Sequence, residues 1–436
     1  MNRIFWLSIL CSVLCLTGCG GGSDSPVSPV SPGPAQFTGD ALKSNLPRQT
    51  DPQIASSEIV QLTTGQRSFS LNMFQALRSE LGNIIFSPFS IWQALGMAQA
   101  GAVGQTAHEM NDVLKFTLPA DHLHPACNAL DLSLTSRGQG ESGFRLRIAN
   151  AIWGQKDFAF LPAFLDTLAR NYGAGLRILD FTTAPEAART AINAWVASMT
   201  EQKIPELLDQ SVVETLRSSK LVLTNAIYFK ADWLTPFDPN MTASHFFHFA
   251  DGTTTEVPMM WQKSPLPCAT GTGWQAVELP YVGNEISMVL VLPEAGTQAA
   301  FEASLNEAKW QGIIGMLATR TVALTLPSFK SKLNIALAQI LRNMGMPLAF
   351  SDSADFSGMT GHTDLKIAEV IHQAVIEVKE KGTEAAAATA VIIGTTAAPI
   401  ENDLMTVTFD RPFLYVIRDR STGTILFAGR LTDPRG

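Results

Sequence analysis

The stretch Glu380-Lys381-Gly382-Thr383-Glu384-Ala385-Ala386-Ala387-Ala388-Thr389, continued by Ala390-Val391-Ile392-Ile393-Gly394-Thr395-Thr396-Ala397-Ala398-Pro399, decides how the chain is read. From Gly382 to Ala398 there is no proline, and Glu384 carries the single charge. Taken locally, Thr383-Glu384 followed by alanines reads as a capped helix start. Taken as a strand, one face carries Thr383, Ala385, Ala387, Thr389, Val391 and Ile393, and the other Glu384, Ala386, Ala388, Ala390, Ile392 and Gly394. The first face is uncharged throughout and grows bulkier along its length. A central strand wants that composition: no missing N–H, no buried charge and little side-chain entropy to lose. Pro399 cannot serve inside such a strand, which therefore ends before it.

Further blocks lie on both sides. Asn83-Ile84-Ile85-Phe86-Ser87-Pro88-Phe89-Ser90-Ile91 is followed by Ala94-Leu95 and Gly101-Ala102-Val103-Gly104-Gln105-Thr106. Leu223-Thr224-Asn225-Ala226-Ile227-Tyr228-Phe229-Lys230 precedes Trp233, and then come Val257-Pro258-Met259-Met260, Glu278-Leu279-Pro280-Tyr281 and Leu326-Pro327-Ser328-Phe329. Ile371-His372-Gln373-Ala374 leads into the alanine-rich stretch, and Arg411-Pro412-Phe413-Leu414 and Phe427-Ala428-Gly429-Arg430 close the series. In content and order these blocks resemble the serpin family over essentially everything after residue 57.

The resemblance implies an α+β fold of three β-sheets and eight or nine helices, with an exposed reactive-centre loop at about 380–405. It implies that Glu380, Gly382, Thr383, Glu384, Ala385, Ala386, Ala387, Ala388 and Thr389 are the hinge of that loop. Ser87, Ser90, Asn225 and His372 would form a polar cluster beneath the centre of the main sheet that controls its opening. Trp233 would sit at the top, where the loop first enters. The implied activity is suicide inhibition: a protease cleaves the loop, and the freed segment inserts as an extra strand before the acyl-enzyme hydrolyses. Family spacing puts the residue before the scissile bond sixteen after Glu380, which selects Thr396–Ala397, with Thr395 and Ala398 as the neighbouring choices.

Ile393–Ala398 has no Lys, Arg or large aromatic residue. A trypsin-like pocket would be left with its acid unpaired. Elastase-like or subtilisin-like serine proteases with small apolar pockets fit this bait, and a papain-like cysteine protease is the second class. The alternative function is a non-inhibitory serpin that binds a ligand or partner.

An enzyme is the third reading and the weakest. Ser87 precedes Pro88, and no Gly-x-Ser-x-Gly elbow occurs. His108-Glu109 opens like a zinc-protease helix, but Asp112 stands where the second histidine is required. No metal or other cofactor is expected.

At the N-terminus Arg3 precedes an apolar run from Ile4 to Leu16, followed by Thr17-Gly18-Cys19. Thirteen residues are too few for a bilayer core of ~30 Å at ~1.5 Å per residue. They suit a signal peptide over 1–18. The Leu-Thr-Gly-Cys ending resembles a bacterial lipobox, in which Cys19 is lipidated and becomes the new N-terminus; Gly20 after it leans toward the outer membrane. The alternative is an ordinary signal peptide with an incidental Cys19. Residues 19–57 are rich in Gly, Ser and Pro and are expected to be a flexible tether. Residues 58–436 are expected to form one domain.

Net charge is −8 with scattered acids. That argues against nucleic acid and anionic membrane surfaces as partners, leaving the N-terminal lipid as the membrane contact and a monomer as the expected state. Hydrophobic content of 46% against 16% charged residues suffices for a large core. Cys127 and Cys268 remain in the folded part, either paired or as buried thiols.

Periodicity places helices over Ser68–Leu81, Asn193–Met199 and Lys332–Met344. It places strands over Lys220–Phe229, Glu285–Leu292, Thr321–Leu326, His372–Lys379, Thr406–Asp410 and Phe413–Arg418.

Overall fold

A computed structural model describes residues 41–138, 144–383 and 404–436. Among them the strands are β1 (Ala41–Leu42), β2 (Ile84–Phe86), β3 (Arg145–Gln155), β4 (Leu176–Leu179), β5 (Leu221–Asp232), β6 (Ala243–His248), β7 (Thr254–Gly271) and β8 (Trp274–Pro280). There follow β9 (Ile286–Pro293), β10 (Ala318–Pro327), β11 (Phe329–Ala336), β12 (Glu369–Lys379), β13 (Gly382–Thr383), β14 (Leu404–Thr408), β15 (Phe413–Asp419) and β16 (Ile425–Leu431). The helices that matter most are α1 (Ser56–Leu77), α2 (Pro88–Gln99), α3 (Gly104–Leu114), α4 (Ala120–Thr135), α5 (Pro162–Tyr172) and α6 (Pro185–Met199).

The fold is α+β, as expected. A seven-stranded sheet runs β1-β4-β3-β5-β13-β12-β11, and a nine-stranded one runs β14-β10-β7-β8-β9-β15-β16-β2 with β6 on β7. Among the described residues two hydrogen-bonded sheets stand where three were expected, because β7 is 18 residues long. Its start pairs with β6, its middle from Met259 to Cys268 with β10 and its end from Cys268 with β8, so it joins two strand sets into one. Eleven α-helices occur among the described residues. The excess over eight or nine comes from single turns such as Ser357–Thr360.

Helix α2 lies at the centre. Ser87 caps it by accepting from the Ser90 amide, Pro88 supplies a preset first turn, and every residue of the helix is buried. Helix α6 covers the other face of the seven-stranded sheet, with Ile192, Trp195 and Val196 packed on Trp153, Val222, Ala226 and Ile371.

Two expectations are corrected. Lys332–Met344 is not one helix. Residues up to Ala336 form β11, in register with β12 from Phe329–Val378 to Ala336–Ile371, and only Ala338–Met344 is helical. Buried Phe329 and Ser331 alternate with exposed Lys330 and Lys332, a period of two that the sheet selects over the helical reading.

The tether is the second. Residues 41–55 lie on the domain, ahead of α1. β1 adds an edge strand to β4, Ser44 Oγ donates to Asp166 of α5 at 2.5 Å, and the Gln49 amide donates to the Arg170 carbonyl at 2.9 Å. Arg48 reaches Asn128 Oδ1 at 2.8 Å and Asp131 Oδ2 at 2.5 Å on α4, both of them buried. The approach is close enough that a Cβ on Gly175 would stand 2.7 Å from the Leu42 carbonyl oxygen. Composition suggested a tether here because single polar side chains, not an apolar stripe, make the attachment. Residues 19–40, with Cys19, lie outside the described residues.

Cys127 and Cys268 are both buried thiols rather than a disulfide, and burial pushes the Cys127 thiol up to about 12. Among the described residues no helix is long and apolar enough to cross a membrane.

Arg48→Met leaves the Asp131 carboxylate buried without its cation, so it is expected to destabilise the domain by about 2–3 kcal/mol. Adding Asp131→Asn should recover more than half of that. Urea midpoints of the two variants measure both, and an unchanged midpoint for Arg48→Met would refute the attachment.

Candidate functional site

The site is the seam between β5 and β12. These strands pair in parallel from Val222–Glu369 to Tyr228–Val375. Beyond that the chain turns at Glu380-Lys381, and β13 enters between them. Gly382 and Thr383 pair antiparallel with Lys379 and Val378 on one side and with Asp232 and Ala231 on the other. The first residues of the expected hinge therefore already belong to the sheet. Glu384, Ala385, Ala386, Ala387, Ala388 and Thr389, together with the expected scissile region Thr395, Thr396, Ala397 and Ala398, lie outside the described residues.

Glycine is required at 382 for space. A Cβ there would meet the Ala231 carbonyl oxygen at 2.1 Å and the Asp232 Cα at 2.6 Å. Around the turn, the Phe237 amide donates to the Glu380 carbonyl at 2.8 Å and Thr242 Oγ1 donates to Glu380 Oε1 at 2.8 Å. Trp233 holds it twice: its amide donates to the Lys381 carbonyl at 2.7 Å and its indole N–H to the Lys379 carbonyl at 2.9 Å. The Trp233 ring is buried and stacked on Tyr281 at 4.5 Å and 13°. The Tyr281 hydroxyl lies 2.7 Å from Thr383 Oγ1, and both residues are fully buried. Trp233 thus bonds to the chain on both sides of Glu380.

Ser87, Ser90, Asn225 and His372 come together lower in the same seam, each fully buried. The Ser87 amide donates to His372 Nε2 at 3.1 Å. That nitrogen must be the acceptor, so Nδ1 carries the proton and donates to Asn225 Oδ1 across the seam. Asn225 Nδ2 in turn donates to Ser90 Oγ and to Asn150 Oδ1. Ser87 Oγ donates to the Leu426 carbonyl at 2.6 Å and accepts from the Ser90 amide at 3.3 Å. Burial pushes the His372 pKa down to about 3, so the ring is neutral under ordinary conditions.

Two features of the site were not foreseen. Asn150 on β3 donates to the Ser90 carbonyl at 3.1 Å and to Gln93 Oε1 at 3.2 Å, and accepts from Ser90 Oγ at 3.0 Å. Asn150 sits in Ala149-Asn150-Ala151, where nothing in the sequence distinguishes it from a polar surface residue. Its register position opposite Asn225 makes it a partner. Tyr281 was visible as a motif residue, but its hydroxyl contact with the hinge was not.

Comparison with known proteins agrees with this architecture. The family profile described as "Serpin (serine protease inhibitor)" matches residues 64–434. The chain is 38% identical to leukocyte elastase inhibitor A of Mus musculus over 390 residues, covering 86% of this chain and 100% of that one. It is 37% identical to an uncharacterised serpin-like protein of Thermococcus kodakarensis, covering 84% of each. The solved structure of the thermophilic serpin tengpin in its native state superposes with a TM-score of 0.79, at 26% identity, over 91% of this chain and 99% of that one. Human thyroxine-binding globulin in complex with thyroxine gives a TM-score of 0.78 at 30% identity over 87% of this chain and 100% of that one.

His372 must stay neutral in the folded state, and so must His124, which burial lowers to about 4 beside the Tyr172 hydroxyl at 2.9 Å. The unfolded chain protonates both near an ordinary pKa of about 6.5. Below that value it binds protons the folded state refuses, so stability is lost as pH falls from about 6.5 towards the folded values. The slope is about 1.4 kcal/mol per pH unit for each group. Between pH 6.5 and 5 the urea midpoint is expected to drop, and His372→Gln should remove about half of that slope. An unaltered slope in the variant would contradict the assigned protonation state.

Proposed function

The chain belongs to the serpin family, and from that premise we propose that it is an inhibitory member that traps extracytoplasmic serine proteases as acyl-enzymes. The observation that carries the reading is the register of β13. Gly382 and Thr383 are already the first two residues of a strand antiparallel to both β5 and β12. Continuing that register six residues along the loop, and six back along each neighbour, brings Thr389 opposite His372 and Asn225. Val391 then meets Val370 and Leu223, and Ile393 reaches Ala368 and Leu221, where β5 begins.

The composition fits the two environments this strand would enter. Thr383 faces inward to Tyr281, so Ala385, Ala387, Thr389, Val391 and Ile393 share its face. Ala386, Ala388 and Ala390 would face the layer under α6, where Trp195 and Ile192 are buried. Insertion replaces one parallel seam with two antiparallel ones. The net gain is on the order of ten ladder bonds at about 1 kcal/mol each. Burial of Val391 and Ile393 adds about 1.5–3 kcal/mol apiece. The same step parts His372 from Asn225, and Thr389 supplies a hydroxyl between them.

In that register β5 runs out opposite Ile393, three residues before the proposed scissile bond Thr396–Ala397. A small, neutral bait supports elastase-like or subtilisin-like targets, in keeping with the leukocyte elastase inhibitors among the relatives. The signal sequence and Leu16-Thr17-Gly18-Cys19 support a lipid-anchored protein of the cell envelope, with Cys19 as the anchor. The likeness to a thyroxine-binding protein favours the second reading, a serpin that carries a ligand and does not inhibit.

Incubation with subtilisin or pancreatic elastase, followed by denaturing electrophoresis, is expected to give a covalent complex. Mass analysis of the released peptide should begin it at Ala397. Clean cleavage at every ratio without a complex would sink the inhibitory reading in favour of the second. Thr383→Arg, which places a cation against the buried Tyr281 hydroxyl, should turn the inhibitor into a substrate. Cys19→Ala should abolish incorporation of radiolabelled palmitate in a bacterial host; retained label would exclude Cys19 as the anchor.

A further inference from the structure

The hydroxyl pair at the head of the seam is a device of its own. Tyr281 is fully buried between Trp233, on which it stacks, and Phe229, which it meets edge-on at 5.1 Å and 76°. Its hydroxyl has Thr383 Oγ1 at 2.7 Å. If β13 left the sheet, the phenol would stay in place with that partner withdrawn, because β8 and the Trp233–Tyr281 bridge hold the ring independently of the loop. A buried hydroxyl without a partner costs about 1–3 kcal/mol. The pair is also selective for depth. A slip of one residue presents Gly382 or Glu384 to the phenol. It also turns every following side chain to the wrong face.

We propose that Tyr281 is a positioning residue for protease trapping: its hydroxyl anchors Thr383 between β5 and β12 in the uncleaved protein and sets the register in which the rest of the loop inserts. The proposal rests on the inhibitory reading for its consequence but not for its geometry. With Gly382 and Thr383 in place, the seam is entered before cleavage. Insertion then proceeds by propagation from a formed end, without first closing a loop onto the sheet. Speed matters here because insertion competes with hydrolysis of the acyl-enzyme. The anchor belongs to the trapping step, so the acylation step should not depend on it.

Tyr281→Phe keeps the ring stack and removes the hydroxyl; Thr383→Val removes the other half at nearly constant shape. Hydrogen–deuterium exchange of the uncleaved full chain is expected to rise about fivefold at residues 380–383 in each variant, the equivalent of one hydrogen bond. The double variant should exchange no faster than either single one, and a peptide covering Val289–Leu292 should be unchanged. Exchange at 380–383 equal to wild type, or a rise shared equally by all peptides, would overturn the anchor. With subtilisin, Tyr281→Phe should raise the number of inhibitor molecules consumed per protease trapped about two- to fivefold, at an unchanged acylation rate. Raised exchange with unchanged partition would overturn the role in trapping. If wild type forms no covalent complex, the inhibitory reading fails on its own, and the exchange experiment still decides the anchor.

Discussion

A side-chain hydrogen bond crosses the seam on which this molecule is organised, from His372 Nδ1 to Asn225 Oδ1. Those residues stand opposite one another on β12 and β5, parallel neighbours flanked by antiparallel pairs to β11 and β3. Because the ring is neutral and wholly buried, the bond is short-range and directional, with no net charge to solvate. It closes the sheet without the large desolvation penalty of an ion pair. A contact of that kind holds two strands at one spacing and gives no attraction at the next. Strands so joined are either paired or separated by a third strand.

The same logic explains the layers around the seam. Below it, α2 contributes Ser87 and Ser90 from a buried helix start whose capping geometry fixes both hydroxyls. Above it, α6 lies on a surface of alanines and aromatic rings. At its upper end, Trp233 and Tyr281 grip a turn that Gly382 alone can make at this spacing. On the far edge, residues 41–55 cross α4 and α5 and extend the sheet by β1. The sheet is thus held along its edge and its floor while its centre rests on one side-chain bond and a few ladder pairs.

Much of this was legible in the sequence, for reasons that differ by residue. Ser87, Ser90, Asn225 and His372 were readable because they sit in recognisable blocks, and the structure brings all four together. Asn150 was not, because it is joined to them by register and has no local signature. The strap at 41–55 was misjudged because Arg48 works through two buried acceptors on α4, 80 and 83 residues away. Residues 332–336 read as helix in the sequence because Lys, Leu, Asn and Ile there suit either period, and pairing with β12 chooses the strand.

Local chemistry, carried by the sequence alone, determined what the segment after Thr383 is able to become: a strand without proline or buried charge, small enough to slide under a helix and apolar enough to gain from burial. It also determined where such a strand must stop, since Pro399 has no N–H to give. Only the tertiary structure decided where Gly382 and Thr383 ahead of it sit: between which two strands, at what depth and against which hydroxyl. Those are matters of register, and register is set by contacts between residues distant along the chain.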